Sequence, residues 1–275
     1  MKTKQLFFCY FFIAAAIVTF SSCQKVINID LNSVAPQIVI EGGISDQPGP
    51  YSVSLTKTVN FSDSNVFPPV DGAAVTINDN VGNSETLTEA SPGVYKTSTL
   101  IGVVGRVYTL SVTANGKNYQ AVSTLSVPVN IDTLTIKTSG GFGGGGGGGG
   151  GSPNKSLDVQ FTDPSGIANY YRLIEFVNGV STNAISITSD NLRDGAVIHR
   201  TLRTDSNQKL YSGDTVTVQL ESIDYGVYNY FRTFNNTGGG AFNASSPANP
   251  VSNISNGALG YFSAYALRSK KIGIP

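Results

Sequence analysis

The sequence predicts a mainly β protein, with an immunoglobulin-like β-sandwich in its N-terminal half and a β-rich C-terminal domain that carries one short amphipathic helix. Three observations predict this class. Short segments in which apolar and polar residues alternate recur along the chain, and turn signals separate them. The composition combines 31 Gly with 13 Tyr and 14 Phe, as expected for many strands and turns. A chain of 275 residues can form one large domain or two small ones.

The charge content narrows the classes of function. Charged residues make up only 13% of the chain, and 18 basic residues balance 18 acidic ones. Without a basic field to hold a phosphate backbone, we expect no nucleic-acid binding. One His and two Cys leave little material for metal or nucleophile chemistry. Such a low charge content also fits poorly with an ordinary cytosolic enzyme.

The first residues predict a secretory signal peptide. Lys2 and Lys4 precede an uncharged, mostly apolar segment at residues 6–20. That run of about 15 residues is shorter than the roughly 20 that a membrane-spanning helix needs. We therefore expect it to direct export and to be removed.

The end of this segment resembles the lipobox of bacterial lipoproteins, in the sequence Phe20-Ser21-Ser22-Cys23. The resemblance implies a lipoprotein signal peptide at residues 1–22, a lipid anchor on Cys23 with acyl chains such as palmitate, and a tether over residues 23–36. An ordinary cleaved signal peptide with an incidental Cys23 is the alternative. Because Cys9 lies in the removed segment, we expect the mature chain to form no disulfide.

Strand signals fill residues 37–138, which we assign to the immunoglobulin-like sandwich. Asn115-Gly116 favours a type I′ hairpin turn, because both residues accept positive φ. About seven short strands in some 100 residues, with turns every eight to twelve, are typical of such a sandwich. The strand candidates are residues 37–41, 51–55, 73–77, 85–87, 106–114, 117–126 and 132–138.

A glycine tract interrupts the chain at residues 139–154. It contains Gly143 to Gly151 without a break, and such a sequence has no side chains to bury. Ser152-Pro153 follows where a phosphate-binding loop needs Gly-Lys-Ser/Thr, so that motif is excluded. We interpret the tract as a flexible linker or an expanded surface loop.

Residues 155–275 are predicted to form the β-rich C-terminal domain. Val227, Phe231 and Phe234 share a helical period and predict a helix over residues 223–235 with these three side chains buried. Ser222 or Asp224 is its expected N-cap. The strand candidates are residues 157–161, 170–178, 215–221, 260–266 and 271–274.

Several motifs resemble one family, the Bacteroidota outer-membrane lipoproteins catalogued as "domain of unknown function 4249". The motifs are VIEGGI at 39–44, GPYSVSL at 49–55, PVDGAAVTI at 69–77, NYYR at 169–172 and NPVSNISNGALGYFSAY at 249–265. The resemblance extends from about Cys23 to Pro275. It implies an outer-membrane lipoprotein of the predicted fold, often found with a TonB-dependent transporter, and it implies no activity.

Candidate catalytic and metal-binding motifs are weak. His199 is a candidate general base, but a solvent-facing strand residue explains it more simply. Ser54-Leu55-Thr56-Lys57 and Ser189-Asp190-Asn191 match two β-lactamase motifs, yet the third, Lys-Thr-Gly, is absent. Residues 78–83 are oxygen-rich like a calcium loop but fit a hairpin turn better. The sequence therefore predicts no catalytic residue, no metal site and no cofactor.

Two kinds of surface site are predicted instead. Tyr225 lies off the buried helical stripe, and exposed tyrosines can bind a protein partner. Thr133 and Thr215 follow Asp and precede an aliphatic residue, a tripeptide similar to the O-glycosylation sites of this phylum.

These observations favour a non-enzymatic outer-membrane lipoprotein that binds a TonB-dependent transporter or an envelope assembly. The first alternative is a carbohydrate- or peptide-binding lipoprotein for nutrient capture. A hydrolase with an unrecognised carboxylate pair is the second. Both the periplasmic and the cell-surface side of the membrane are open as its location.

Overall fold

A computed structural model describes residues 35–60, 63–139, 154–182, 184–191, 193–202, 209–237 and 249–275. Residues Pro36–Pro275 form one compact unit. The predicted signal peptide and lipid anchor at Cys23 lie outside the described residues. Within the described ranges, no helix is long and apolar enough to cross a membrane.

The first half of the described chain contains eight short strands. Four of the longer ones alternate buried with more exposed side chains, as the sequence pattern predicts. The Asn115-Gly116 hairpin between the last two is confirmed, because both residues have positive φ, at 49° and 71°. The strands are β1 (Ile38–Ser45), β2 (Ser52–Lys57), β3 (Ala74–Asp79), β4 (Ser84–Thr86), β5 (Thr88–Ser91), β6 (Val94–Lys96), β7 (Val107–Ala114) and β8 (Lys117–Thr124).

The remainder of the described chain contains eight more strands and one helix. The helix α1 spans Tyr225–Thr237 and begins two residues later than the sequence predicted. The strands are β9 (Thr133–Ser139), β10 (Asn154–Thr162), β11 (Tyr170–Val177), β12 (Val180–Ser181), β13 (Ser186–Ser189), β14 (Val197–Leu202), β15 (Thr215–Ile223) and β16 (Leu259–Gly273).

One long sheet runs through both halves of the described chain. Its strand order is β12-β11-β15-β16-β1-β2-β6-β5, and β13 also pairs with β11. A four-stranded sheet, β4-β3-β7-β8, packs on one half of it, and a three-stranded sheet, β14-β10-β9, on the other. The protein is therefore mainly β, with an immunoglobulin-like sandwich and a β-rich second half, which confirms the predicted fold class.

Strand β16 joins the two halves because it changes partner along its length. Residues 259–265 pair in parallel with β1, and residues 266–273 pair antiparallel with β15. The sequence predicted two strands here, separated near Arg268, and that prediction is wrong. The guanidinium of Arg268 pairs with Asp46 at 2.6 Å, and Lys270 donates to the Ile131 carbonyl oxygen at 3.2 Å. Because both cationic side chains have polar partners, β16 continues as one strand past Arg268 and Lys270.

Each sandwich has its own apolar core. In the first, Ile40 and Leu55 of the long sheet share a cluster of buried residues with Val75 and Leu110 of the four-stranded sheet. In the second, Leu173 and Val218 share a cluster with Val159 and Phe161 of the three-stranded sheet. In each strand, these buried residues occupy every second position. The alternation of apolar and polar residues therefore determines which face of the sheet is covered by the other sheet.

The glycine tract connects two neighbouring strands. Ser139 of β9 is the register partner of Asn154 of β10, and the two strands continue as an antiparallel pair. The intervening residues 140–153 lie outside the described ranges. β9 lies on the N-terminal side of the tract, yet Leu134 packs in the second core. The tract therefore joins the two strands of a hairpin within the second sandwich.

Helix α1 covers one face of the long sheet and is capped by Asp224, one of the two expected N-caps. The Val227 backbone N–H donates to Asp224 Oδ1 at 2.9 Å. The other oxygen accepts from the Ser123 hydroxyl at 2.5 Å and from the Thr124 backbone N–H at 3.0 Å, both on β8. Ser123 Oγ in turn accepts the Ala264 N–H of β16 at 2.8 Å. One carboxylate thus connects the helix to both sheets of the first sandwich.

The predicted burial of α1 is correct at two of three positions. Val227 and Phe231 are buried, but Phe234 is 43% exposed. Phe234 lies near the end of the helix, and its ring packs against Tyr230 of the same helix with centroids 6.3 Å apart. Tyr230 is buried in its place, beside Tyr261 of the sheet. The expectation for Phe234 was wrong because periodicity alone does not show where the helix passes the sheet.

Gly260 provides a test of the junction between β1 and β16. It has φ of +95°, and a Cβ atom there would lie 2.1 Å from the Ile40 carbonyl oxygen. We expect Gly260→Ala to lower the free energy of unfolding by more than about 3 kcal/mol, since it combines a backbone clash with an unfavourable φ. Urea denaturation of the two proteins measures the difference.

Gly257→Ala is the matched control. Gly257 also has positive φ, +73°, but open space surrounds its Cβ position. Gly257→Ala should lower the free energy of unfolding by only about 1 kcal/mol, the penalty for placing a residue with a side chain in a left-handed conformation. Equal losses for the two variants would show that close approach of β1 and β16 is unimportant.

Candidate functional site

A cleft of about 430 Å³ lies on the long sheet where β1 and β16 run side by side. Strands β2, β11 and β15 also contribute to its walls, so it crosses the junction between the two sandwiches. Its lining combines two carboxylates, one guanidinium and three tyrosines. These are Glu41, Glu221, Arg172, Tyr51, Tyr261 and Tyr265.

The strand register places the main polar side chains on one face. Arg172 of β11 is directly opposite Glu221 of β15, and Glu41 of β1 is opposite Tyr261 of β16. Residues paired in register project to the same side of a sheet. Gly43 has no side chain to fill the cleft. A Cβ atom there would lie 2.7 Å from the Ser263 carbonyl oxygen, so a larger residue would clash with the backbone of β16. The cleft therefore follows from the pairing of four strands.

Arg172 is the central cation of the cleft. Its Nη1 lies 3.3 Å from Glu221 Oε2, and its guanidinium carbon lies 4.2 Å from the centroid of the Phe231 ring. Burial raises the pKa of Glu221, and the attraction of Arg172 lowers it by a smaller amount. Loss of water contact likewise raises the pKa of Glu41, with Arg172 again opposing. The cleft thus contains two carboxyl groups and one guanidinium, which is always positively charged.

Two buried polar atoms of the cleft lack a hydrogen-bond partner within the described residues. They are the Nε of Arg172 and the hydroxyl of Ser263. Buried donors are normally satisfied, so each of these can donate to a bound molecule.

The tyrosines supply rigid rings and neutral hydroxyls. The ring of Tyr261 contacts Tyr230 and Phe231, with centroids 4.9 and 4.8 Å apart. Tyr51 donates its hydroxyl to the Ser45 carbonyl oxygen at 2.9 Å. Desolvation raises the pKa of Tyr261 and of Tyr265, so both stay protonated at neutral pH. The cleft can therefore bind a polar molecule by hydrogen bonds and ring contacts.

The cleft offers carboxyl, guanidinium and hydroxyl groups. None of its lining residues in the described part of the chain is His, Cys or Lys. Glu41 and Glu221 are therefore the groups of the cleft that can exchange a proton near neutral pH, and Arg172 and the tyrosine hydroxyls can hold a polar ligand.

A second feature is the aromatic surface, formed by Tyr170, Tyr225 and Tyr228. Tyr225, at the start of α1, is 57% exposed. Its ring centroid lies 5.4 Å from that of Tyr170, and the ring centroid of Tyr228 lies 5.0 Å from that of Tyr170. The structure therefore places the predicted surface residue Tyr225 in a cluster of three rings. Its role in binding stays a prediction.

Three aspartates form the main acidic cluster of the described residues. Carboxylate oxygens of Asp163, Asp190 and Asp194 lie within 4.8 Å of one another. The Asn169 backbone N–H donates to Asp190 at 2.9 Å, and that of Gly166 donates to Asp194 at 2.8 Å. These bonds join two loops, which explains the cluster as a structural network, and we assign no metal site to it.

The predicted modification sites lie at strand ends or outside the described chain. Thr133 and Thr215 are the first residues of β9 and β15, and both are half-buried. The backbone N–H of Thr215 donates to Asn178 Oδ1 at 2.9 Å. Glycosylation of the two threonines and lipidation of Cys23 stay predictions.

The weak catalytic and metal motifs have ordinary structural positions. His199 is exposed on β14, and Ser54 lies within β2 rather than at the start of a helix. Asp79 ends β3 at the turn to β4, where it accepts the Asn83 backbone N–H at 2.8 Å and pairs with Arg106 at 2.6 Å. The interpretation of residues 78–83 as a hairpin turn is confirmed.

Sequence reasoning did not identify the cleft. The sequence shows Glu41 and Arg172 as members of family-like motifs and strand candidates, and Glu221 as the end of a strand candidate. A signal was present, because Arg172 interrupts an apolar stretch of β11 and Glu221 ends an alternating strand. Which of these residues meet depends on register between distant strands, and one sequence does not supply that register.

Comparisons with known proteins identify a family and a distant structural likeness. The family model described as "Domain of unknown function (DUF4249)" matches residues 24–271. Comparison with curated proteins finds no match. Among solved structures, a two-domain fibronectin type-III segment from chicken tenascin aligns with 15% identity and a TM-score of 0.21. The alignment covers 69% of this chain and 92% of that one.

Phe231 supports both the helix and Arg172, so its removal is a test of this site. Phe231 is 4% exposed. We expect Phe231→Ala to lower the free energy of unfolding by about 3–5 kcal/mol, the usual loss for a buried aromatic ring. Phe234→Ala, at the half-exposed position on the same helix, should cost only about 1 kcal/mol. Chemical denaturation compares the two, and equal losses would contradict the observed helical phase.

Proposed function

We propose that this chain, which belongs to the family "Domain of unknown function (DUF4249)", is a non-enzymatic lipoprotein of the outer membrane that acts by binding another envelope protein. The observation that carries the proposal is the aromatic surface of Tyr170, Tyr225 and Tyr228, with Tyr225 at its most exposed position. The partner we propose is a TonB-dependent transporter.

The composition of this surface supports protein binding. Tyrosine is enriched in the centres of protein interfaces, because its ring buries a large area at a small entropy cost and its hydroxyl makes a hydrogen bond. Tyr170 and Tyr228 are half-buried, so the cluster is held in position by the sheet and the helix. A preorganised aromatic cluster loses little conformational freedom on binding.

The N-terminal sequence supports the membrane anchor. Acyl chains on Cys23 would each contribute about 0.8 kcal/mol per buried CH₂, so several chains together hold a protein on a membrane. The family resemblance supports both the outer membrane and the transporter as expectations.

The cleft supports a second candidate function, the binding of a carbohydrate or peptide for nutrient capture. It is about 430 Å³ in volume and presents Arg172, Glu41 and tyrosine hydroxyls to a ligand. Pockets that bind small molecules have volumes from about 300 Å³ upward, and they combine a few polar groups with aromatic walls. A bound ligand and a bound protein are compatible on one molecule.

The anchor is tested by Cys23→Ser in the full chain. Without the sulfur nucleophile no lipid is attached, and we expect the protein to move from the membrane fraction to the soluble fraction. Cys9→Ser is the matched control, since Cys9 lies in the segment that we expect to be removed, and it should leave the protein with the membranes. Membrane retention of Cys23→Ser would rule out the lipid anchor.

The partner surface is tested by Tyr225→Ala. Crosslinking in intact membranes followed by pull-down should recover a transporter with the parent protein and about tenfold less with the variant, as for an interface hot spot. Thermal stability should change little, because the side chain is exposed. Tyr211→Ala is the control, since Tyr211 is a 65% exposed tyrosine in a separate loop. Equal recovery with Tyr225→Ala, or recovery of no transporter with the parent, contradicts the proposal.

A further inference from the structure

The second sandwich contains a cavity at an interruption in strand pairing. β12 and β13 both pair with the same edge of β11, through Phe176↔Ser181 and Leu173↔Ser186. Residues 174 and 175 of β11 lie between these two pairs, whereas the other segment has residues 182–185 between them. A cavity of about 290 Å³ opens beside this interruption.

A buried carboxylate without a partner faces this cavity. Glu175 of β11 is 2% exposed, and neither of its carboxylate oxygens has a hydrogen-bond partner within the described chain. Thr182 lies across from it, since its backbone N–H donates to the Glu175 carbonyl oxygen at 2.8 Å. The hydroxyl of Thr182 is also buried without a partner. Native proteins rarely leave such groups unsatisfied, so this pair favours a bound hydrogen-bond donor.

The opposite wall supplies a cation. Arg200 lies on β14 at the same side as the buried Ile198 and Leu202, and it lines the cavity. Its guanidinium donates to the Ile187 carbonyl oxygen at 2.7 Å. Among the described residues, no ion pair within 4.0 Å joins Arg200 to Glu175. The cavity therefore has an anionic wall and a cationic wall that do not neutralise each other directly.

The cavity also has an aliphatic part. Leu173, Ile185, Ile187 and Leu202 line it, together with the polar residues Ser186, Thr201 and Asn235. Apolar walls favour a hydrocarbon group, at about 25 cal/mol per Å² of area removed from water. A volume of about 290 Å³ limits the occupant to a small molecule.

We infer that this cavity binds a small aliphatic amino acid as its zwitterion. The ammonium group donates to Glu175, the carboxylate accepts from Arg200, and the aliphatic side chain lies against Leu173 and Leu202. This satisfies the unpartnered oxygens of Glu175 and places each ligand charge beside the opposite protein charge. The site is separate from the cleft and from the aromatic surface, so it does not depend on the proposed function.

Binding should strengthen as pH rises. Burial raises the pKa of Glu175 from its ordinary value of 4.5 to about 7. Arg200 of β14 is the other charged group that lines the cavity, and the described residues of β13 and α1 there are uncharged. The ammonium prefers the ionised carboxylate, so affinity for an amino acid increases as the pH passes upward through about 7.

The test is isothermal titration calorimetry of the purified protein with three related compounds. They are L-leucine, 3-methylbutylamine, which lacks the carboxylate, and 4-methylpentanoate, which lacks the ammonium. At about pH 8, leucine should bind about tenfold more tightly than either analogue, since each analogue leaves one charged wall unpaired. Glu175→Gln should weaken leucine binding by about tenfold, and Asp71→Asn, which removes an exposed carboxylate of the first sandwich, should leave it unchanged.

A thermal melt shows that Glu175→Gln is folded. The raised pKa means that ionisation of Glu175 destabilises the fold as pH rises from 4.5 through about 7. The ligand-free variant should therefore melt at a higher temperature than the parent at about pH 8, and at a similar temperature at about pH 4. The inference is overturned if leucine shows no binding up to about 10 mM, if 4-methylpentanoate binds as well as leucine, or if the folded variant binds leucine as tightly as the parent.

Discussion

The parallel pairing of the first strand with the last is the interaction on which the rest of the structure depends. β1 forms seven register pairs with the first half of β16, from Val39↔Leu259 to Ser45↔Tyr265. The second half of β16 pairs with β15 and so extends the same sheet into the other sandwich. Without this strand the two halves would have separate sheets and exposed edges, and the cleft would lose both its floor and two of its tyrosines.

Residues 253–260 stabilise this junction and its contact with the four-stranded sheet. Asn253 accepts the Phe262 backbone N–H at 3.0 Å and donates to the Phe262 carbonyl oxygen at 2.8 Å, so its amide satisfies the free edge of β16. Ser255 accepts the Gln120 N–H of β8 at 2.8 Å. Gly260 permits contact with β1. The contacts of this segment are therefore architectural, and the polar groups available for binding lie on the strands beside it.

Local patterns predicted much of the fold and little of the site. Alternation identified the long strands, Asn115-Gly116 identified a hairpin, and the period of Val227 and Phe231 identified the helix, because each signal depends on near neighbours in the chain. The continuity of β16 through Arg268 was not predictable, since the ion pair with Asp46 that permits it joins residues 222 positions apart. The cleft was missed for the same reason. Arg172, Glu221 and Glu41 come together only through the order of strands in the sheet.

The placement of the last strand has a consequence for the order of events during synthesis. A chain made from its N-terminus produces β1 early, yet the partner of β1 is complete only when residue 265 has been made. Until then β1 can pair with β2 but has an open edge on its other side. Pairing over such a sequence separation carries a large loop-closure cost and is slow. The first sandwich therefore cannot complete its long sheet before residue 265 is available, and until then the open edge of β1 can pair with other chains and aggregate.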